Sequence, residues 1–191
     1  MEQQDPDFVF LGNSPAVDFI NTEMMSRGER VDLLQDDADL VRWAQAAGLA
    51  TGLRLTAGDL STAKTLRTAL KDLSQARMNQ RHAEPGALAA VNRHLAKHAT
   101  HEVLQVDSTS GEFELVPDKT ASSISALLAN LAYEGAQLLA SPAAAQLKKC
   151  SNPDCVLVFV DTSRNQKRRW CSMETCGNRA KVAKHYRKQT R

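Results

Sequence analysis

CSNPDCVLVFVDTSRNQKRRWCSMETCGNR, residues 150–179, holds every cysteine of the chain: Cys150, Cys155, Cys171 and Cys176. Their spacing is C-x4-C, then 15 intervening residues, then C-x4-C. Two close thiol pairs separated by a loop can wrap one tetrahedral ion, and four thiolates match the soft, closed coordination of structural zinc. Four sulfur ligands leave no coordination position open for water, which argues against a catalytic metal. The expectation is one structural Zn2+ per chain. Disulfides, another metal and redox thiols are the alternatives, although a C-x-x-C redox pair is absent.

Charge sets this segment apart from the rest. Residues 148–191 hold 12 Lys and Arg against three acids, a net +9, so residues 1–147 carry −7 of a whole-chain charge of +2. Such asymmetry suggests an acidic body and a basic contact module, and a basic zinc-stapled module reads first as a nucleic-acid binder. A length of 191 residues suits one ordinary domain plus a small accessory one, and a hydrophobic fraction of 42% fits a soluble globular chain. The opening MEQQDPDFVF lacks the charge and apolar run of a secretory signal. No stretch approaches the roughly 18 apolar residues of a membrane span. A cytoplasmic location without membrane contact is expected, where thiols stay reduced and metal is favoured over disulfides.

Patterning predicts a mainly helical body. Residues 8–22 read as extended chain, a turn at Gly12-Asn13-Ser14-Pro15, then a short element, and residues 26–36 read as a charged loop. A helix over 36–49 is capped by Asp36 or Asp37 and buries Leu40, Trp43, Ala44 and Ala47. Thr56 to Asp59 resembles a capping box, and Leu60, Ala63, Leu66, Leu70 and Leu73 continue at helical spacing. Pro85-Gly86 interrupts before a helix with Leu88, Val91 and Leu95 inward. Alternation over 102–106 and 112–116 predicts a β-hairpin, and residues 122–139 form an apolar-faced helix. A short helix at 141–147 leads into the cysteines.

The fold class that follows is α+β: a mainly helical N-terminal domain with a small β element over residues 1–145, and a four-cysteine zinc-binding ββα-like module over 146–191. Residues Val156 to Val160 favour a strand, and Cys176 opens a terminal helix. So small a module cannot build a large core. Metal binding is expected to supply much of its folding free energy, on the order of 10–16 kcal/mol apparent in finger peptides. Removing zinc is therefore expected to melt the tail and leave residues 1–140 folded.

Within the terminal helix, Val182, Ala183 and Tyr186 share a face expected to pack inward, with Arg179 beside them. Lys181, Lys184, His185 and Lys188 share the opposite face, and Arg164, Lys167, Arg168 and Arg169 form a basic loop. These eight are the candidate nucleic-acid contacts, set against the simpler reading of a solvated charged face. Arg179 divides between a structural pairing with Asp161 and direct contact.

The cysteines together with DTSRN, RRWCS and Cys176-Gly177-Asn178-Arg179 resemble the CGNR zinc-finger family over about residues 146–189. LGNSPAVDFINT, the following WAQAAGL and the long helices are similar to the stress-induced transcription-regulator domain ABATE, chiefly through Asp18, Phe19, Asn21 and Thr22. Ala16-Val17 departs from the small residue and leucine usual before that Asp. The resemblance implies a bacterial DNA-binding regulator of stress response.

Asp18, Asn21 and Thr22 are also candidates to line a ligand pocket, against the simpler reading of a local backbone network. His94, His98 and His101 lie at helical spacing, a second metal site only if few carboxylates suffice. No G-x-S-x-G nucleophile elbow or Gly-rich phosphate loop occurs, so no catalytic residue is assigned and no enzyme is expected. DNA is the expected partner, with RNA and an acidic protein surface as rivals. A small-molecule effector and a homodimer remain candidates for the N-terminal domain.

Overall fold

A computed structural model describes residues 8–99, 102–117 and 121–189, apart from the side chains of Lys184, His185, Arg187, Lys188 and a few others in these spans. The body begins with α1 (Pro15–Ile20), the hairpin β1 (Glu23–Ser26) and β2 (Glu29–Asp32), and α2 (Asp37–Ala46). Three longer helices follow, α3 (Asp59–Met78), α4 (Pro85–Leu95) and α5 (Ile124–Ala140), with β3 (Glu102–Val106) and β4 (Phe113–Pro117) between the last two. A 3-10 turn at Pro142–Gln146 leads to β5 (Leu147–Lys149), β6 (Val158–Val160) and α6 (Asn178–Gln189). The three sheets are all two-stranded and antiparallel: β1-β2, β3-β4 and β5-β6. The architecture is α+β, as the patterning predicts. No helix among the described residues is long and apolar enough to cross a membrane.

Local chemistry explains the elements. Asp36 caps α2: its side chain accepts from the Asp39 amide at 2.9 Å, and the Asp39 carboxylate accepts from Asp36 N–H at 3.3 Å. At α3 the expected box is only half formed. Asp59 accepts from the Thr56 amide and hydroxyl at 2.7 and 2.9 Å, while the N-cap is Gly58 with a left-handed φ of 93°. The predicted charged loop at 26–36 is instead the β1-β2 hairpin, because Arg27 and Gly28 (φ 51° and 88°) make the primed turn that matches strand twist. The short helix before the cysteines is 3-10.

The body core gathers Phe19, Leu34, Leu40, Trp43, Leu66, Leu70, Leu127 and Leu131, all essentially sealed from solvent. Gly135 on α5 lies directly against the Leu70 side chain, where no Cβ fits, so α5 and α3 approach closely. Arg67 of α3 is buried and forms a two-pronged pair with Asp32 at 2.6 and 2.8 Å, with Glu23 at 3.3 Å. Burial raises the Asp32 pKa, but the donors Arg67, Leu34 N–H and Lys64 together outweigh it and hold the carboxyl down to about 2. This pair fastens the β1-β2 hairpin to α3. Leu88 departs from the expected inward position and is 49% exposed, whereas Val91 is buried. The β3-β4 hairpin stands clear of the core, with Leu104, Phe113 and Leu115 mostly exposed.

The cysteine module is built onto the body. Strand β6 bonds β5 along one edge, with Leu147 opposite Val160 and Lys149 opposite Val158. Its other edge would leave the Val158 and Val160 peptide groups bare. All four of those groups are taken by the body. The Asn21 amide donates to Val158 O at 2.8 Å and accepts from Val158 N–H at 2.9 Å. Val160 N–H donates to Gly12 O at 2.9 Å, and Asn13 Nδ2 donates to Val160 O at 2.8 Å. Beneath this edge Val17, Leu147, Val158 and Val160 form one buried cluster, flanked by Met78 and Leu138. A tail that melts alone on metal loss is therefore too simple an expectation, because residues 12–21 share their hydrogen bonds with β6.

Replacing Asn21 with Ala strands a buried donor and a buried acceptor on Val158. The expected loss is about 2–4 kcal/mol in urea unfolding of the zinc-loaded protein. Asn13→Ala loses one bond to Val160 O and puts alanine at a left-handed φ of 57°, and is expected to cost about 1–2 kcal/mol.

Candidate metal centre and nucleic-acid interface

The four cysteine sulfurs all lie within 4.8 Å of one another, and all four residues are buried. The Cys155 and Cys171 sulfurs are 3.8 Å apart, and those of Cys171 and Cys176 3.6 Å. A tetrahedron with Zn–S bonds of about 2.3 Å has edges of about 3.8 Å, so the donor set fits zinc. None of the four forms a disulfide. The hydrogen bond with Cys171 pulls the Cys155 thiol down to about 5, and the same bond pushes Cys171 far up, while burial pushes Cys150 up. Four crowded sulfurs therefore cannot all ionise in an apolar pocket unless a cation replaces their protons. Zinc held by Cys150, Cys155, Cys171 and Cys176 would supply that charge and cross-link both knuckles.

Surrounding groups aim the ligands. Asn152 Nδ2 donates to the Cys176 sulfur at 3.4 Å, and Cys171 N–H donates to the Cys150 sulfur at 3.4 Å. Ser172 caps the turn Met173–Gly177 that carries Cys176, accepting from the amides of Glu174 and Thr175. Gly177 has no room for a side chain: a Cβ there would lie 2.8 Å from the Met173 sulfur and 3.4 Å from the Trp170 ring. Leu157 and Phe159 complete the core around the sulfurs, and Val9, Leu11 and Met24 of the body pack against it.

The basic loop is held in shape by Asp161, whose side chain is fully buried. It accepts from Lys148 Nζ (2.7 Å), Ser163 Oγ (2.6 Å), Ser163 N–H (3.0 Å) and Arg168 N–H (2.8 Å). Burial opposes ionisation, but these donors prevail, led by Lys148, and hold the carboxyl far below the usual range. Lys148, not Arg179, is the partner of Asp161.

The predicted contact residues separate into two kinds. Arg164, Lys167, Arg169 and Lys181 are exposed, as is Arg179, which does not face the packed side. Arg168, expected as a contact, is instead bound within the chain. Its guanidinium donates to the carbonyls of Trp170, Leu11 and Cys171, and lies 4.3 Å over the Phe159 ring. The side chains of Lys184, His185 and Lys188 lie outside the described part. Val182 and Tyr186, expected inward, are 54% and 65% exposed, because the cysteine core is already closed by Phe159 and Trp170.

The pocket reading of Asp18, Asn21 and Thr22 is likewise corrected. Asn21 and Thr22 are buried, and their polar atoms are engaged within the chain. Thr22 Oγ1 donates to Phe19 O and accepts from Arg67, both at 2.8 Å. Asp18 accepts from Gly12 N–H at 2.7 Å and so shapes the turn that meets β6. The histidines form no metal cluster among the described residues. His94 is buried, His98 stacks on Tyr133 at 4.0 Å, and His101 lies outside the described residues. Sequence reasoning missed the joint itself. Its one visible signal was Asn21, an amide in an apolar run.

Elemental analysis and native mass spectrometry are expected to give one zinc per chain, with all four thiols protected from alkylation. A disulfide among them in anaerobically purified protein would contradict the site. Asp18 adds a pH signature. Burial raises its pKa from 3.8 to about 6 against the backbone hydrogen bonds that lower it. The folded state therefore holds the proton more tightly than the unfolded one. The stability so contributed is full below the unfolded value near 3.8 and lost as pH rises through about 6. Asp18→Asn is expected to flatten the stability profile across that window in urea titrations.

Two known families match the chain, one after the other. The profile of ABATE, described as a putative stress-induced transcription regulator, matches residues 13–142. The profile of the CGNR zinc finger matches residues 146–189, including all four zinc ligands. No curated protein matches the chain. With the first match covering most of its length and the second falling on the cysteine cluster, the chain belongs to the ABATE family and carries a CGNR zinc finger at its C-terminal end.

Proposed function

We propose that the protein is a DNA-binding transcriptional regulator that grips duplex phosphates with its zinc module. One observation carries the reading: Arg164, Lys167, Arg169, Arg179 and Lys181 are exposed on the segment that carries the four clustered cysteines. The loop cations are fixed because Asp161 pins Arg168 N–H and Ser163. Trp170 brings the end of the loop against Gly177, where the terminal helix begins. Cations held on a stiff frame lose little entropy on meeting phosphate, and the module's net charge steers it to a polyanion.

In this reading zinc is structural and the chain performs no catalytic step. The body would receive a signal or associate with a second copy, in a cytoplasm that keeps the four thiols reduced. RNA is the second reading, favoured by one observation: Tyr186 is exposed on the basic helix and offers an aromatic face.

The test is a mobility-shift titration of the zinc-loaded protein with duplex DNA and single-stranded RNA at several salt concentrations. Five phosphate contacts predict a slope of log affinity against log salt of roughly −4 to −5 on duplex. Lys181→Ala is expected to weaken all duplex sequences about equally and flatten the slope by about one. Tighter binding to RNA, abolished by Tyr186→Ala, would select the second reading. Salt-independent binding, or none with zinc verified in place, would remove both.

A further inference from the structure

A cleft of about 1000 Å³ opens where the body meets the zinc module. One wall comes from the β1-β2 hairpin and α3, the other from β5 and the basic loop. The lining is lopsided in charge: Arg30, Lys71, Lys148, Lys149, Lys167, Arg168 and Arg169 stand against a single carboxylate, Glu23. Glu23 is itself taken by Lys71 and lies 3.3 Å from Arg67. Lys148 is spent on Asp161, and Arg168 on backbone carbonyls. Among the described residues Arg30, Lys149 and Lys167 meet no carboxylate, and Arg169 lies over the Trp170 ring.

We propose that this cleft binds a nucleotide-sized organic phosphate, with its phosphates between Arg30 and the cations of the zinc module and its organic body on the apolar floor. The floor is the half-buried Met78 and Val156, with the closed Ile20, Leu147 and Val158 beneath them. Cations gathered in a concavity repel one another and focus a positive potential that an anion relieves. An apolar floor adds nothing for a bare inorganic ion but rewards an organic body. The volume is at the upper end of small-ligand sites, about 300–1000 Å³, and such sites favour junctions between structural units. Duplex DNA, whose phosphates line a convex ridge, cannot lay a base on this floor.

The proposal goes beyond nucleic-acid binding and rests on that reading only for its consequence. An occupant would engage Lys167 and Arg169, two of the cations assigned to DNA, so ligand and duplex would exclude each other. It would also touch both sides of the joint and stabilise the joined state by mass action.

The test is calorimetric titration of the full, zinc-loaded chain with ATP as probe at low ionic strength and without nucleic acid, so its failure is separate from a failure of DNA binding. Saturable one-site binding is expected, weakened about tenfold or more by Arg30→Glu and by Lys149→Glu. Arg30→Gln, at an exposed hairpin position, is expected to weaken it less. Zinc content and melting temperature verify that each variant is folded. Adenosine is expected not to bind, and inorganic tripolyphosphate to bind more weakly than ATP. No saturable ATP binding, equal affinity for tripolyphosphate, or affinity unchanged in both charge-reversal variants would overturn the proposal.

Discussion

The second edge of strand β6 is the constraint on which the rest of the structure depends. A three-residue strand paired on one side only would leave the peptide groups of Val158 and Val160 bare beside a metal core. Here Asn21, Asn13 and Gly12 take all four groups. The two faces of the strand are divided as well. Val158 and Val160 point into the body beside Val17, while Phe159 points into the cysteine core beneath Arg168. One strand therefore belongs to two hydrophobic clusters. An open strand edge is both a cost and an aggregation hazard, and covering it removes both.

Metal and body thus support each other. Zinc on the four sulfurs would tie Cys150 and Cys155, before β6, to Cys171 and Cys176, after it. The body holds that strand by its edge and packs Leu11 and Met24 against the sulfur core. Arg168 repeats the theme at the other end of the loop, joining Leu11 O to the carbonyls of Trp170 and Cys171. A change at the joint, whether by a ligand or by a substitution, has a physical route to the loop cations through Asp161 and Arg168.

Much of this was legible in the sequence, because the strongest signals are local. Cysteine spacing gave the metal site, and apolar periodicity gave α3 and α5. Alternation over 102–116 gave the hairpin, and Asp36 gave the α2 cap. Long-range chemistry left weaker traces. Arg67 reads as a surface residue of a helix until Asp32 is folded against it. Arg168 is one of three consecutive basic positions by sequence, yet it alone turns inward onto Phe159. The stripe of Val182 and Tyr186 obeys helical spacing but stays mostly exposed, because Phe159 and Trp170 already close the cysteine core, so periodicity predicted a burial that the small module does not provide. The pocket expected at Asp18, Asn21 and Thr22 failed for a related reason: Asn21 serves a strand 137 residues away, Thr22 holds Phe19 O and Arg67, and Asp18 holds Gly12 N–H.

The most direct test of this account is amide hydrogen exchange on the full chain before and after zinc is removed by a chelator. If β6 is shared, metal loss deprotects Val158 and Val160 together with residues 12–21 of the body, while the α3–α5 core keeps its protection. Unchanged exchange over residues 12–21 after complete zinc removal would show that body and module fold as separate units, and would contradict the joint.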